Sequence, residues 1–212
     1  MGEILVRIAL IGVGLAGWFW TQHLLAQRFV AAGIRDRVHE WSAPLHAWFT
    51  VHPRATNATL IATSAVIDLI GLYLLAAAIF GPSFRPFLAL FVLFLLRQVC
   101  QVVCALPTPS GSIWRYPGFP ALLVTYGTDN DYFFSGHTAI AVLGAIELAH
   151  AGPPWLAAVM FVIAALEAAT VLVLRAHYTM DVFAAALAAF FAYALGATVA
   201  PAVDGWIASL LT

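Results

Sequence analysis

The sequence predicts an all-α fold: an integral membrane bundle of six transmembrane helices with one interfacial amphipathic helix. Three observations carry that prediction. Hydrophobic residues fill 63% of the 212 positions and charged residues only 9%, and mean hydropathy is +0.95, too little polar surface to coat a soluble globule of this size. Apolar runs close to the length that crosses a hydrocarbon core recur along the chain. Between the first two lies a segment whose apolar residues repeat with helical spacing.

The first run, Ile4 to Leu25, follows no persuasive cleavage pattern and reads as a retained span, not a removed signal. Next, Ile34, Val38, Trp41, Leu45 and Trp48 recur at intervals of four and three with Arg35, Arg37 and Glu40 between them, which predicts a helix lying in the interface, broken near Pro44. Spans follow at Ala58 to Phe80 and Phe87 to Leu106. Pro107 to Phe134, rich in Pro, Gly and rings (Trp114, Tyr116, Phe119, Tyr126), suits a cap at headgroup depth. The last three spans are Gly136 to His150, Trp155 to Leu174 and Val182 to Val199, the final pair joined by a tight polar turn. Neither a repeat nor a linker divides the chain, so residues 1–212 read as a single transmembrane domain.

Composition also excludes. With a net charge of -1 and no Lys, the chain offers no basic stripe for nucleic acid. All nine basic residues are Arg, suited to forked phosphate contacts but equally the ordinary basic residue of GC-rich genomes. Cys100 and Cys104 share one helical face inside an apolar run and read as buried small hydrophobes rather than a redox or metal pair. No cofactor motif is present, and the oligomeric state is not indicated.

Two strings carry chemistry: Ser135-Gly136-His137-Thr138 and His177-Tyr178-Thr179-Met180-Asp181. Alternating six spans across the membrane puts Pro107, His137, His177 and Asp181 on one face and both termini on the other. Four positions separate His177 from Asp181, which on a helix sets both side chains on one face, so the carboxylate can fix the imidazole tautomer and leave its other nitrogen as nucleophile or base. Ser135 is a candidate N-cap, and the amides beside it form an anion cradle that Gly136 lets phosphate approach closely. His137, in the first turn, is placed to protonate a departing oxygen. A metal site of two histidines and one carboxylate is the competing chemistry, although no further ligand lies at typical spacing.

These strings resemble the type 2 phosphatidic acid phosphatase superfamily, and more closely its sphingomyelin synthase branch. That branch's Asp, three residues, then Ser-Gly-His-Thr corresponds to Asp131 through Thr138, and its His-Tyr-Thr-x-Asp-Val to His177 through Val182. Arg97, followed by Leu106-Pro107-Thr108-Pro109, is similar to the segment closing the corresponding helix. The resemblance implies a two-step mechanism. His177, oriented by Asp181, attacks a lipid phosphodiester to form a phosphohistidine; His137 protonates the leaving group and then assists the acceptor, ceramide or a related lipid alcohol, or water in a phospholipase C reaction. It adds Asp131 to the catalytic set and Thr138, Tyr178 and Arg97 to the substrate contacts, with no cofactor and no metal. The phosphatase branch's second and third basic positions are Cys104 and Val171 here, and losing cations argues against the more highly charged monoester as substrate. Arg175, two before His177, is a candidate replacement phosphate contact, or an anchor for lipid headgroups.

Counted from the site face, Asp68, Arg97, Glu147 and Glu167 all lie about 15 Å below their span ends. Charges there predict a polar cluster inside the bundle, either as glue between spans or as a cavity floor where Glu147 or Glu167 meets a headgroup cation. Six arginines on the site face by the loop-charge rule would make that face cytoplasmic; the resemblance implies a bacterial inner-membrane protein with its site outward. The partners expected are phospholipid and lipid-alcohol substrates within the membrane. A lipid phosphate phosphatase and a non-catalytic scaffold or carrier are the alternatives.

Overall fold

In the computed structural model, the described residues are 34–104, 106–124, 126 and 133–209. The chain divides into a unit at Met1–Arg35 and a unit at Asp36–Thr212, and the elements below belong to the second. The expected span at Ile4 to Leu25 and the candidate Asp131 lie outside the described residues.

Among the described residues seven helices follow in order: α1 (Arg37–Trp41), α2 (Ala43–Val51), α3 (Pro53–Phe80), α4 (Arg85–Val103), α5 (Gly136–Ala151), α6 (Pro154–Val173) and α7 (Thr179–Ser209). No strand occurs among the described residues. Four of the helices, α3, α4, α6 and α7, are long and apolar enough to cross a membrane. At 16 residues, α5 is about 24 Å long, short of the roughly 30 Å hydrocarbon core. The structure therefore gives four spanning helices among the described residues where the sequence suggested six spans.

The reason α5 can be short is its position. It packs against α3, α4, α6 and α7, and a continuous run from His137 to Glu147 is buried, so protein rather than lipid surrounds it. The outer helices show the opposite pattern, leaving Phe80, Phe91, Val102, Val162, Phe183 and Phe190 exposed, as lipid-facing surfaces require. Small residues bring the axes close. A Cβ at Gly144 would collide with Ile70, and one at Gly196 would stand 3.1 Å from the Ala89 backbone nitrogen, so these glycines let α5 approach α3 and α7 approach α4.

The interfacial segment is two helices rather than one. Ser42 ends α1 and Pro44 opens α2, where its missing N–H costs no hydrogen bond. Trp41, Leu45, Trp48 and Val51 are exposed, an apolar face for the membrane boundary. His39 and His46 are buried, one from each helix, and face α6 and its exit turn.

The segment after α4 does more than cap the bundle. Arg115 bonds Asn57, Tyr126 meets Ser64, both Asp68 oxygens accept the amides of Leu122 and Leu123 at 2.8 Å, and Leu123 packs where a Cβ on Gly71 would stand. Contacts from Asn57 to Gly71 span about 21 Å of α3, so the segment descends along that helix. Irregular backbone inside the bundle needs protein partners for its amides, and Asp68 supplies two. That accounts for a carboxylate within a span.

Candidate active site

Helix α5 begins as the sequence suggests. Ser135 is its N-cap, its hydroxyl accepting from the Thr138 amide at 3.4 Å and from Thr138 Oγ1 at 3.0 Å. The residue before it, Phe134, is 1% exposed with φ at 98°, a strained conformation for a side-chain-bearing residue that packing must hold. His137 is thereby set in the first turn. Its Nε2 is buried and has no hydrogen-bond partner among the described residues. Arg97 Nε stands 3.8 Å from where a Cβ on Gly136 would be, which brings a guanidinium up from α4 to the helix N-terminus. Amides, dipole and cation converge on one point.

The second string is built by a helix stop. After α6, Arg175 takes φ 54°, its amide bonds Leu172 O at 3.1 Å, and the Ala176 amide bonds Val171 O at 2.8 Å. This is the paired C-terminal arrangement that ends helices at a left-handed residue, and here the residue is Arg rather than Gly. Arg175 Nη1 donates to Ser110 O at 2.6 Å, so the guanidinium ties the re-entrant segment to the turn. Tyr178 does likewise, its hydroxyl donating to Pro107 O at 3.1 Å.

His177 lies in that turn, not on α7. The helical spacing argument therefore reaches the right pair for a different reason. Asp181 stands in the first turn of α7, where its Oδ2 accepts the Tyr178 amide at 2.8 Å, one half of a capping box. The same oxygen lies 3.6 Å from His177 Nδ1, and the Asp181 side chain is wholly buried. That separation is longer than a hydrogen bond, of the kind that tightens when substrate binds. The strings are joined directly: the Ser135 amide donates to Asp181 O at 3.3 Å, and the two imidazoles are within electrostatic range of each other.

Three residues that sequence reasoning missed hold the turn from outside. Asp36 caps α1 through Oδ1, accepting from Val38 at 2.9 Å, and also accepts the Thr179 amide at 2.6 Å and Thr179 Oγ1 at 2.7 Å. One carboxylate thus serves the starts of two helices. His39 Nε2 bonds His177 O at 2.9 Å and its ring stacks on Tyr178, while His46 Nδ1 bonds Val173 O at 2.8 Å. Burial works against ionisation of Asp36, but hydrogen bonds from Thr179 and the charge of His39 outweigh it and hold the carboxyl below its ordinary value of 3.8. An Asp before a short helical run was the available signal.

The four deep charges do not form one cluster. Glu147 pairs with Arg85 through two contacts, at 2.7 and 3.3 Å, and Arg85 lies 5.0 Å over the Tyr193 ring, so this group sits toward the end of the bundle away from His137. Glu167 accepts from Thr63, Asp68 serves the re-entrant segment, and Arg97 reaches toward Gly136. Like sequence depth placed them on different helix faces.

Beside the site opens an apolar groove of about 450 Å³ between α5, α6 and α7. Thr138 and Thr179 line its upper end and Phe161, Ala165, Ala186 and Phe190 its length. From Thr179 to Phe190 it runs about 16 Å along α7.

A family match over residues 36–198 together with the fold supports the class, a type 2 phosphatidic acid phosphatase superfamily protein, a membrane enzyme that handles lipid phosphoryl groups. Its fold is similar to that in the crystal structure of Aquifex aeolicus LpxE, with a TM-score of 0.53 over 68% of this chain and 86% of that one, at 18% identity. The sequence profile of the AtPDCT1/2 family matches residues 36–198, and the chain belongs to that family. No curated protein matches it.

Proposed function

We propose that the protein transfers the phosphorylated headgroup of a phospholipid diester to a lipid alcohol, by way of a phosphohistidine on His177. The observation that carries this reading is the junction of His137 and the His177–Asp181 pair with the mouth of the apolar groove. A phosphate seated on the α5 amides and Arg97 would leave an acyl chain free to lie in the groove. In the first step His177 attacks phosphorus, the bond to the glycerol oxygen breaks, and His137 delivers the proton that this oxygen needs. In the second, His137 takes the proton of the acceptor hydroxyl as that oxygen attacks phosphorus and the P–N bond breaks. The family name denotes a phosphatidylcholine:diacylglycerol cholinephosphotransferase, which favours diacylglycerol over ceramide as the acceptor of this chain. Water as acceptor gives a phospholipase C. Asp131 is proposed as a further catalytic carboxylate on the resemblance alone, and Thr138, Ser135 and Gly136 as phosphate contacts.

The test is turnover of headgroup-labelled phosphatidylcholine and of phosphatidic acid by purified protein in lipid, with diacylglycerol or ceramide added, beside His177→Ala. Label passing to the added alcohol, through a protein-bound, acid-labile intermediate absent from His177→Ala, is the expected result. Inorganic phosphate released from phosphatidic acid alone would replace this reading with a phosphatase. No turnover of either would replace it with a scaffold, and loss of activity on chelation would favour the metal alternative.

A further inference from the structure

The re-entrant segment carries three rings to the side of the site away from the groove. Trp114 meets His137 edge-on with centroids 4.9 Å apart. Trp114 stacks on Tyr126 at 5.6 Å, and Tyr126 meets Tyr116 at 5.8 Å with planes inclined 69°. Tyr116 and Tyr126 thus meet at a corner, and Trp114, stacked on Tyr126, reaches the histidine. Interfacial anchoring does not account for this arrangement. Tyr126 is held on Ser64, about two turns below the Asn57 level of α3, whereas anchoring rings stay at the water boundary and have no need to assemble beside a buried imidazole.

A carboxylate lies close to the corner. The charge of Asp68 acts on Tyr126 and, after burial, helps to raise the phenol above its ordinary value. Glu167 is bonded to Thr63, the residue next to Ser64. Arg115, between Trp114 and Tyr116, donates to Asn57 Oδ1 at 2.6 Å.

We infer that this corner is the subsite for the cationic end of the headgroup and that its ligand is a quaternary ammonium. The inference rests on the diester-transfer reading and locates its headgroup. Ring faces attract a desolvated cation, most strongly one too bulky and weakly hydrated to prefer water. The ammonium of phosphocholine lies two carbons from its phosphate oxygen, a reach comparable with the distance from His137 to Trp114. The phospholipid would straddle α5, with its acyl chain on the Thr138 side and its headgroup on the Trp114 side.

The experiment measures calorimetric binding of phosphocholine and of glycerol phosphate to His177→Ala protein in lipid nanodiscs, where turnover cannot intervene. Phosphocholine is expected to bind about 3- to 30-fold tighter. Adding Tyr116→Leu, at an exposed ring whose loss the fold tolerates, should remove most of that preference, and Tyr116→Phe should keep it. Trp114→Leu should remove it as well. Equal affinity for the two ligands, no binding of phosphocholine, or a preference unchanged in both Leu variants would overturn the inference. Tight phosphocholine binding by a protein that fails to turn over any diester would uphold the subsite while defeating the transfer reading. Diester transfer without headgroup preference would do the reverse.

Discussion

At the residue scale the decisive group is Asp181, because one oxygen has two duties. Its Oδ2 holds the Tyr178 amide, fixing the start of α7, and the same atom faces His177 Nδ1. The proposed mechanism needs the ring proton on Nδ1 and Nε2 toward phosphorus, which this oxygen favours once the 3.6 Å gap closes on substrate binding. In Asp181→Asn an amide oxygen at that position can still serve Tyr178, but the ring faces a neutral acceptor in place of a carboxylate. The expected result is near-normal thermal stability with kcat lower by about 10³- to 10⁴-fold, by analogy with the same change in hydrolase triads. Stability and turnover measured on one preparation separate the two duties.

At the element scale, α1 and α2 govern the turn that carries His177. Three bonded side chains, Asp36, His39 and His46, cross from this pair to α6, the turn or α7. Loss of a helix cap costs about 1 kcal/mol, and Asp36 caps α1 while holding the first amide of α7. Asp36→Ala should therefore lower the melting midpoint and also kcat, since the turn loses its outer support. The pH dependence has a definite sign. Because the folded carboxyl titrates below its ordinary 3.8, its stabilisation is present above that value and is lost as pH falls through the lower folded value. Thermal scans should show wild type losing more stability than Asp36→Asn as pH drops below about 4.

At the scale of the whole molecule, the two ends of the bundle do different work. The end away from His137 is held by Arg85 on Glu147 and by Asp204, which accepts from Ser83 Oγ and the Phe84 amide at 2.8 Å each. Removing one member of a buried ion pair leaves the other uncompensated, at about 3 kcal/mol. Arg85→Ala should accordingly lower thermal stability while leaving headgroup preference unchanged; a changed preference would restore Glu147 to the substrate cavity. The groove gives the complementary result. Filling it with Ala186→Phe should reduce kcat/KM for long-chain diesters by about tenfold or more and leave short-chain soluble diesters little affected, because burying acyl carbons contributes roughly 0.8 kcal/mol each.

What the sequence determined by itself is local or additive. Composition specified the membrane, apolar runs placed the ends of the long helices within about five residues except that α7 continues ten residues past Val199 to Ser209, and Ser135 before Gly136 marked a helix start because capping depends on neighbours alone. Residues such as Asp68, Arg97, Glu147 and Glu167 resisted the same treatment. Distance along a helix gives depth, but only packing decides which face meets which neighbour, so charges at one depth came to lie in different surroundings. Tertiary structure alone decided that Asp36, His39 and His46 would hold the histidine turn from over a hundred positions away, and that an aromatic segment would descend along α3 instead of resting on top. Hydrogen bonds between distant segments depend on the shape of the closed bundle, and no window of sequence contains that shape.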